Sequence, residues 1–88
     1  MYQNYPNPFN ASTEISCYLP EVADMELSVF DLSGRHIKTL IKEKQTAGLK
    51  VVEWNGRNED GLKVTSGLYM YRLKIENFIS VKKMLLIQ

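Results

Sequence analysis

The chain has 88 residues, of which 44% are hydrophobic, and its 11 basic and 10 acidic side chains leave a net charge of +1. This length corresponds to one small domain with a compact core. A nearly neutral chain has no overall field to attract nucleic acid or an anionic membrane surface, so we expect neither partner. The single cysteine, Cys17, excludes an internal disulfide, and the longest apolar run, Met84 to Ile87, is too short to insert into a membrane.

Residues 1–10 are predicted to form a lead-in that precedes the strands. Pro6 and Pro8 fix their own φ angles and favour extended backbone in the residues before them. The result is a kinked segment that suits a linker arriving at a domain, with Phe9 free to cover one end of a small core. We therefore divide the chain into a lead-in over 1–10 and a domain over 11–88.

The elements that follow show a hydrophobic period of two, which is typical of β-strands. The pattern predicts a strand at about 15–19, a hairpin over about 25–41, a polar loop at 42–48, a strand at about 49–54, a long loop at 55–66, and strands at about 67–75 and 78–87. The hairpin turn is predicted at Asp31-Leu32-Ser33-Gly34, because Asp favours the first position of a turn and Gly the last. Short strands with regular turns, and no helix longer than one turn, predict an all-β antiparallel sandwich of about seven strands.

Alternation along these strands also predicts which side chains form the core. The inward positions are expected to be Ile15, Cys17, Leu19, Leu27, Val29, Val52, Trp54, Tyr69, Tyr71, Leu73 and Ile75. An alternative for Trp54 and the two tyrosines is a platform that stacks against sugars, and this would require exposed rings. The last strand cannot be phased from its sequence, because Met84 to Ile87 is apolar at every position.

Few residues of the chain are candidates for metal binding or catalysis. The loop Asn-Gly-Arg-Asn-Glu-Asp-Gly at 55–61 carries oxygen ligands that suit calcium, but Gly56 and the neutral Asn58 break EF-hand spacing, so we favour a tight turn. His36, the only histidine, is predicted to be solvated, and one His with one Cys cannot form a zinc site. Nothing assembles a nucleophile, a base and an oxyanion hole, so we predict no catalytic residue, no cofactor, no metal and no enzymatic activity.

Five pieces of the sequence occur in a defined order: Tyr5–Asn10, Phe30–Arg35, Val52–Gly61, Ser66–Leu73 and Val81–Gln88. In this order, residues 4–88 resemble the type A C-terminal sorting domain of the type IX secretion system and the related Ig-like domain of the flagellar hook-capping protein. The resemblance implies an Ig-like antiparallel β-sandwich. It also implies a non-catalytic module that directs an exported cargo protein to the cell surface. The implied partners are translocon components at the outer membrane and the cargo protein in cis.

The resemblance also implies recognition residues. In the sorting family a basic pair before a short apolar tail belongs to the signal, and Lys82 and Lys83 match it. Gly67 and Tyr69 match the Gly-x-Tyr part of a further motif. Without the resemblance, lysines on an edge strand simply prevent aggregation between sheet edges. Two alternatives to sorting stay open: a structural Ig-like spacer or assembly module, and a carbohydrate-binding module that uses Trp54 and the tyrosines.

Overall fold

In a computed structural model that describes residues 1–88, the chain forms two antiparallel sheets packed face to face. The strands are β1 (Thr13–Leu19), β2 (Ala23–Asp31), β3 (His36–Gln45), β4 (Gly48–Trp54), β5 (Gly67–Ile75) and β6 (Phe78–Leu86). β1 pairs with β4, and the other sheet has the order β3-β2-β5-β6. The predicted all-β antiparallel sandwich is confirmed, with six strands where about seven were expected. No helix of the structure has the length and apolar character needed to cross a membrane.

The hairpin of β2 and β3 is longer than predicted, because residues 42–45 continue β3 where the sequence suggested a loop. Their charged side chains lie in register with opposite charges, since Glu26 pairs with Lys42 and Asp24 with Lys44. Opposite charges in facing positions favour an antiparallel ladder. A run of charges therefore forms a strand here, at the exposed edge of the sheet.

The core lies between the two sheets and follows the predicted alternation. Its buried side chains are Phe9, Ile15, Cys17, Leu19, Met25, Leu27, Val29, Trp54, Tyr69, Tyr71, Leu73, Met84 and Leu86, with Val52 and Ile75 partly buried against them. The register of β6 against β5 supplies the phase that the sequence could not, because Met84 lies opposite Tyr69 and Leu86 opposite Gly67. Cys17 behaves as a small hydrophobe, and burial raises the pKa of its thiol.

The lead-in joins the free edges of the two sheets. The backbone N–H of Tyr2 donates to Ser16 of β1 at 3.0 Å, and Tyr5 exchanges two hydrogen bonds with Glu14 at 2.9 and 2.8 Å. Further along, the N–H of Phe9 donates to the carbonyl of Leu85 in β6 at 3.0 Å. Backbone contacts to both β1 and β6 therefore close one side of the sandwich.

Two features of the lead-in follow from its residues. Pro6 and Pro8 have no N–H to donate, so the segment makes isolated bridges and does not form a seventh strand. Phe9 is buried and its ring lies 5.7 Å from that of Trp54, as expected of a residue that covers the end of the core. The division of the chain at residue 10 stays a prediction.

Candidate recognition surface

Gly67 opens β5 with a backbone conformation that suits glycine. Its φ is +152°, a value that residues with a side chain rarely adopt, although a Cβ built there would meet no atom within 4 Å. The backbone conformation, and not a lack of space for a side chain, is therefore what requires a glycine here. Its partner in the ladder is Leu86, close to the end of β6.

Tyr69, the other residue of the Gly-x-Tyr motif, is a core residue. Its ring packs edge-on against Trp54 with the ring centroids 5.4 Å apart, and its hydroxyl donates to the carbonyl of Thr65 at 2.6 Å. This bond fixes the loop before Gly67 against the strand that follows it. In the folded domain Tyr69 supports the hairpin from inside and offers no surface to a partner.

The aromatic side chains exclude the sugar-platform hypothesis. Trp54, Tyr69 and Tyr71 are 0%, 5% and 0% exposed, so none of their rings can stack on a ligand. Tyr71 instead holds the lead-in: its hydroxyl accepts from the N–H of Asn4 at 2.8 Å and donates to the carbonyl of Tyr2 at 3.2 Å. Burial raises the pKa of Tyr71, although the bond from Asn4 opposes this shift.

Lys82 and Lys83 lie in the middle of β6 and point to opposite faces of the sheet. Lys82 pairs with Tyr71 and is half-buried, whereas Lys83 pairs with Met70 and is exposed. The carbonyl of Lys83 accepts a hydrogen bond from the Gln3 side chain at 2.8 Å. The structure thus brings all four predicted recognition residues to the β5–β6 hairpin, but it exposes Lys83 more than any of the others.

The apolar tail after the lysines is mostly structural. Met84 and Leu86 are buried in the core, and Ile87 donates its N–H to the carbonyl of Phe9 at 2.9 Å. In contrast, Ile79 and Val81 near the start of β6 are exposed. The C=O of Leu85 and the N–H of Ile87 point away from β5 and bond to Phe9. Because this direction repeats every two residues, the N–H and C=O groups of Ile79 and Val81 also point away from β5. No group of the chain bonds to them there.

The exposed apolar edge at Ile79 and Val81 was missed by the sequence reasoning. Its one signal is the pair of large apolar residues, Phe78 and Ile79, side by side at the start of a strand. In an alternating strand, one of two such neighbours must face away from the core. Both are exposed here.

The loop at 55–61 forms tight turns, as predicted. The side-chain oxygen of Asn55 accepts the N–H of Arg57 at 3.2 Å, and that of Asn58 accepts the N–H groups of Asp60 and Leu62, both at 3.0 Å. The amide oxygens that calcium would use are therefore engaged with backbone donors. That calcium does not bind stays a prediction.

His36 is exposed, in agreement with its predicted solvation. One ring nitrogen lies 2.8 Å from the hydroxyl of Thr39, and the ring packs edge-on against Phe30 with the centroids 5.6 Å apart. These neighbours hold the imidazole on the surface of the β2–β3 hairpin. Neither of them is a carboxylate that could orient the imidazole.

Three solved structures resemble this one in fold. Dimeric latent PorU from Porphyromonas gingivalis is 18% identical with a TM-score of 0.78, and the match covers 97% of this chain but 9% of that one. PorZ from the same organism, described as an essential bacterial surface component of the type-IX secretion system, is 21% identical with a TM-score of 0.64, over 98% of this chain and 11% of that one. FlgD from P. aeruginosa is 22% identical with a TM-score of 0.60, over 84% of this chain and 60% of that one.

The chain therefore corresponds to a small part of PorU and of PorZ and to a larger part of FlgD. No curated protein matches the sequence. A family model does: the Ig-like domain of FlgD matches residues 4–77, from the lead-in to the turn before β6. Because this match covers most of the chain, the chain belongs to the FlgD Ig-like domain family.

Proposed function

We propose that this domain is a non-catalytic sorting module, which directs an exported cargo protein through the type IX secretion system to the cell surface. The order of the sequence motifs supports this role. A further support is the likeness in fold to part of PorZ, itself described as a surface component of that system. On this proposal the protein is secreted or held at the cell surface, with the cargo in cis.

The observation that carries the proposal is the construction of the β5–β6 hairpin. Gly67 and Tyr69 shape it from within, while Lys83, Ile79 and Val81 are presented on its outer side. An unpaired strand edge with exposed side chains allows a receptor to add a strand of its own, with backbone hydrogen bonds for affinity and side chains for specificity. Translocon components at the outer membrane are the proposed receptors.

The test uses residues 1–88 fused behind a reporter with a signal peptide, in a bacterium that has a type IX system. Lys83→Ala should leave most of the reporter in the periplasm, and Lys82→Ala should have a smaller effect because its side chain is half-buried. Surface changes of this kind usually cost under about 0.5 kcal/mol of stability, so the domain stays folded.

Lys44→Ala is the matched control, since Lys44 is an exposed lysine on β3 at the opposite edge of the same sheet. It should be exported like the unchanged fusion. If the unchanged fusion stays periplasmic while an established sorting domain exports the same reporter, the sorting proposal fails. If Lys44→Ala and Lys83→Ala lowered export equally, the effect would come from the loss of any basic residue. That result would also contradict the sorting proposal.

The second candidate is a structural Ig-like module of a large surface or hook-capping-like protein. It is favoured by the extent of the family match, which ends at residue 77 and so includes neither Lys82 nor Lys83. In this role the domain acts as a rigid spacer or assembly unit. Two results together would favour this function. The fusion would fold without being exported, and the parent protein would still assemble after Lys83→Ala.

A further inference from the structure

The outer edge of β4 is left uncovered along its whole length, by the lead-in and by the loops alike. The β1 edge is bonded to Tyr2 and Tyr5, and the second half of β6 is bonded to Phe9. At the β3 edge, the N–H of Glu59 donates to the carbonyl of Ile37 at 3.2 Å. No backbone or side-chain group hydrogen-bonds to the outer edge of Gly48–Trp54.

The backbone groups that this edge presents follow from the pairing. Glu14 exchanges both of its backbone hydrogen bonds with Tyr5, so it exchanges none with Glu53, its opposite residue in β4. The N–H and C=O of Glu53 therefore point away from β1. With a period of two, the same holds for Val51 and Leu49.

The side chains of these residues form an apolar surface on the outer face of the two-stranded sheet. Leu49 is 61% exposed, Val51 is 53% exposed, and Tyr18, directly opposite Leu49, is 60% exposed. Lys50 places no charge on this face. Its side chain points to the same side of the sheet as that of Cys17, and its ammonium donates to the hydroxyl of Thr46 at 3.0 Å. An unpaired strand edge with exposed apolar side chains can pair with a strand of another chain.

The same face is acidic at its other end. Glu14 and Glu53 are exposed and lie directly opposite each other in the ladder. Like charges in this position destabilise a sheet, and a cation supplied by a partner would relieve the repulsion. The apolar and acidic ends together define what would fit: alternate apolar side chains followed by a lysine or arginine.

We propose that β4 binds an extended segment of another protein as an added antiparallel strand. Apolar side chains of that segment lie opposite Leu49 and Val51, and a basic side chain lies opposite Glu53, with Glu14 one strand further away on the same face. A second copy of this chain fits less well. Antiparallel pairing of two β4 strands about Val51 would place Glu53 of each copy against Leu49 of the other. This inference concerns a different edge from β6 and does not depend on the sorting role.

The probe is the peptide acetyl-Thr-Lys-Thr-Val-Thr-Ile-Thr-amide, which in antiparallel register sets Lys opposite Glu53, Val opposite Val51 and Ile opposite Leu49. It is titrated into the isotopically labelled 88-residue chain. We expect chemical-shift changes and slowed hydrogen exchange at the amides of Leu49, Val51 and Glu53. A peptide with Glu in place of Lys should bind about two- to fivefold more weakly, the ratio expected for one cross-strand charge pair.

Variants then separate this site from others. Glu53→Lys should reverse the preference so that the Glu peptide binds more tightly, and Val51→Lys should abolish binding of both peptides by placing an ammonium on the edge. Val81→Lys is the matched control, because Val81 is 52% exposed on the β6 edge, and it should bind like the unchanged chain. Perturbation at Ile79 and Val81 instead of β4, absence of binding, or self-association that Val51→Lys removes would each overturn the proposal.

Discussion

At the scale of single residues, Trp54 holds three parts of the molecule together. Its ring packs against Phe9 of the lead-in and against Tyr69 of β5, with centroid distances of 5.7 and 5.4 Å. Its indole N–H donates to the carbonyl of Arg57 at 2.9 Å, which anchors the loop that leaves β4. A large, fully buried side chain whose one polar atom is hydrogen-bonded is costly to remove.

We expect Trp54→Ala to lower the free energy of unfolding by about 3–5 kcal/mol, the range for deleting a large buried aromatic side chain. Urea denaturation followed by circular dichroism measures this change. Tyr18→Ala is the control, since Tyr18 is exposed and its removal should stay within about 0.5 kcal/mol. A loss below about 1 kcal/mol for Trp54→Ala would show that the core tolerates its absence, contrary to its contacts.

At the scale of elements, the turn between β2 and β3 is organised by the carboxylate of Asp31. Its Oδ1 accepts three hydrogen bonds: from the Ser33 hydroxyl at 2.6 Å, the Ser33 N–H at 2.9 Å and the Arg35 N–H at 2.9 Å. The N–H of Gly34 closes the turn on the Asp31 carbonyl at 3.0 Å, with Gly34 at φ +88°. The bond from the Ser33 hydroxyl, followed by that from the Arg35 N–H, lowers the pKa of Asp31.

The lowered pKa of Asp31 predicts a pH dependence of stability. The folded state favours the ionised carboxylate, so its contribution is present above the ordinary aspartate value of 3.8 and is lost as the pH falls through the lower folded value. Asp31→Asn should therefore reduce the melting temperature at neutral pH, and the difference should shrink in acid. Thermal unfolding across this pH range measures it.

Asp60→Asn is the control for this series, because the Asp60 carboxylate accepts no hydrogen bond while its backbone N–H donates to Asn58. At neutral pH, its melting temperature should stay close to that of the unchanged chain. A difference between Asp31→Asn and the unchanged chain that stays constant into acid would mean that the turn is held by its backbone alone.

A strand could be predicted from the sequence to the extent that its inward-facing and outward-facing residues differ in polarity and alternate. β5 was predicted with the bounds it has, because Tyr69, Tyr71 and Leu73 alternate with Met70 and Arg72. β6 could not be phased, because Met84 to Ile87 is apolar throughout and burial is decided by the register against β5. The same limit applied to the candidate site. Gly67, Tyr69, Lys82 and Lys83 could be named from their motifs, but which lysine is exposed follows from that register.

At the scale of the whole molecule, the lead-in completes the sandwich. The sheet of β1 and β4 has two strands, and a two-stranded sheet is at best marginally stable alone. The lead-in adds backbone hydrogen bonds to the outer side of β1, connects this sheet to β6, and packs Phe9 against Trp54. The sequence pointed to Phe9, but the docking of residues 2–5 depends on contacts with β1 that no local pattern encodes.

We expect removal of residues 1–9 to abolish cooperative unfolding. The shortened chain would expose the edges of β1 and β6 and leave the site of Phe9 empty beside Trp54. Phe9→Ala is the gentler change, with an expected loss of about 3–5 kcal/mol. Tyr5→Ala is its control, because Tyr5 is 78% exposed and bonds to β1 through its backbone, so the loss should be under about 0.5 kcal/mol. Urea denaturation and sedimentation measure the stability and association of each variant. If the chain of residues 10–88 unfolds at the same urea concentration as the full chain, the lead-in is a linker, as the division at residue 10 predicts.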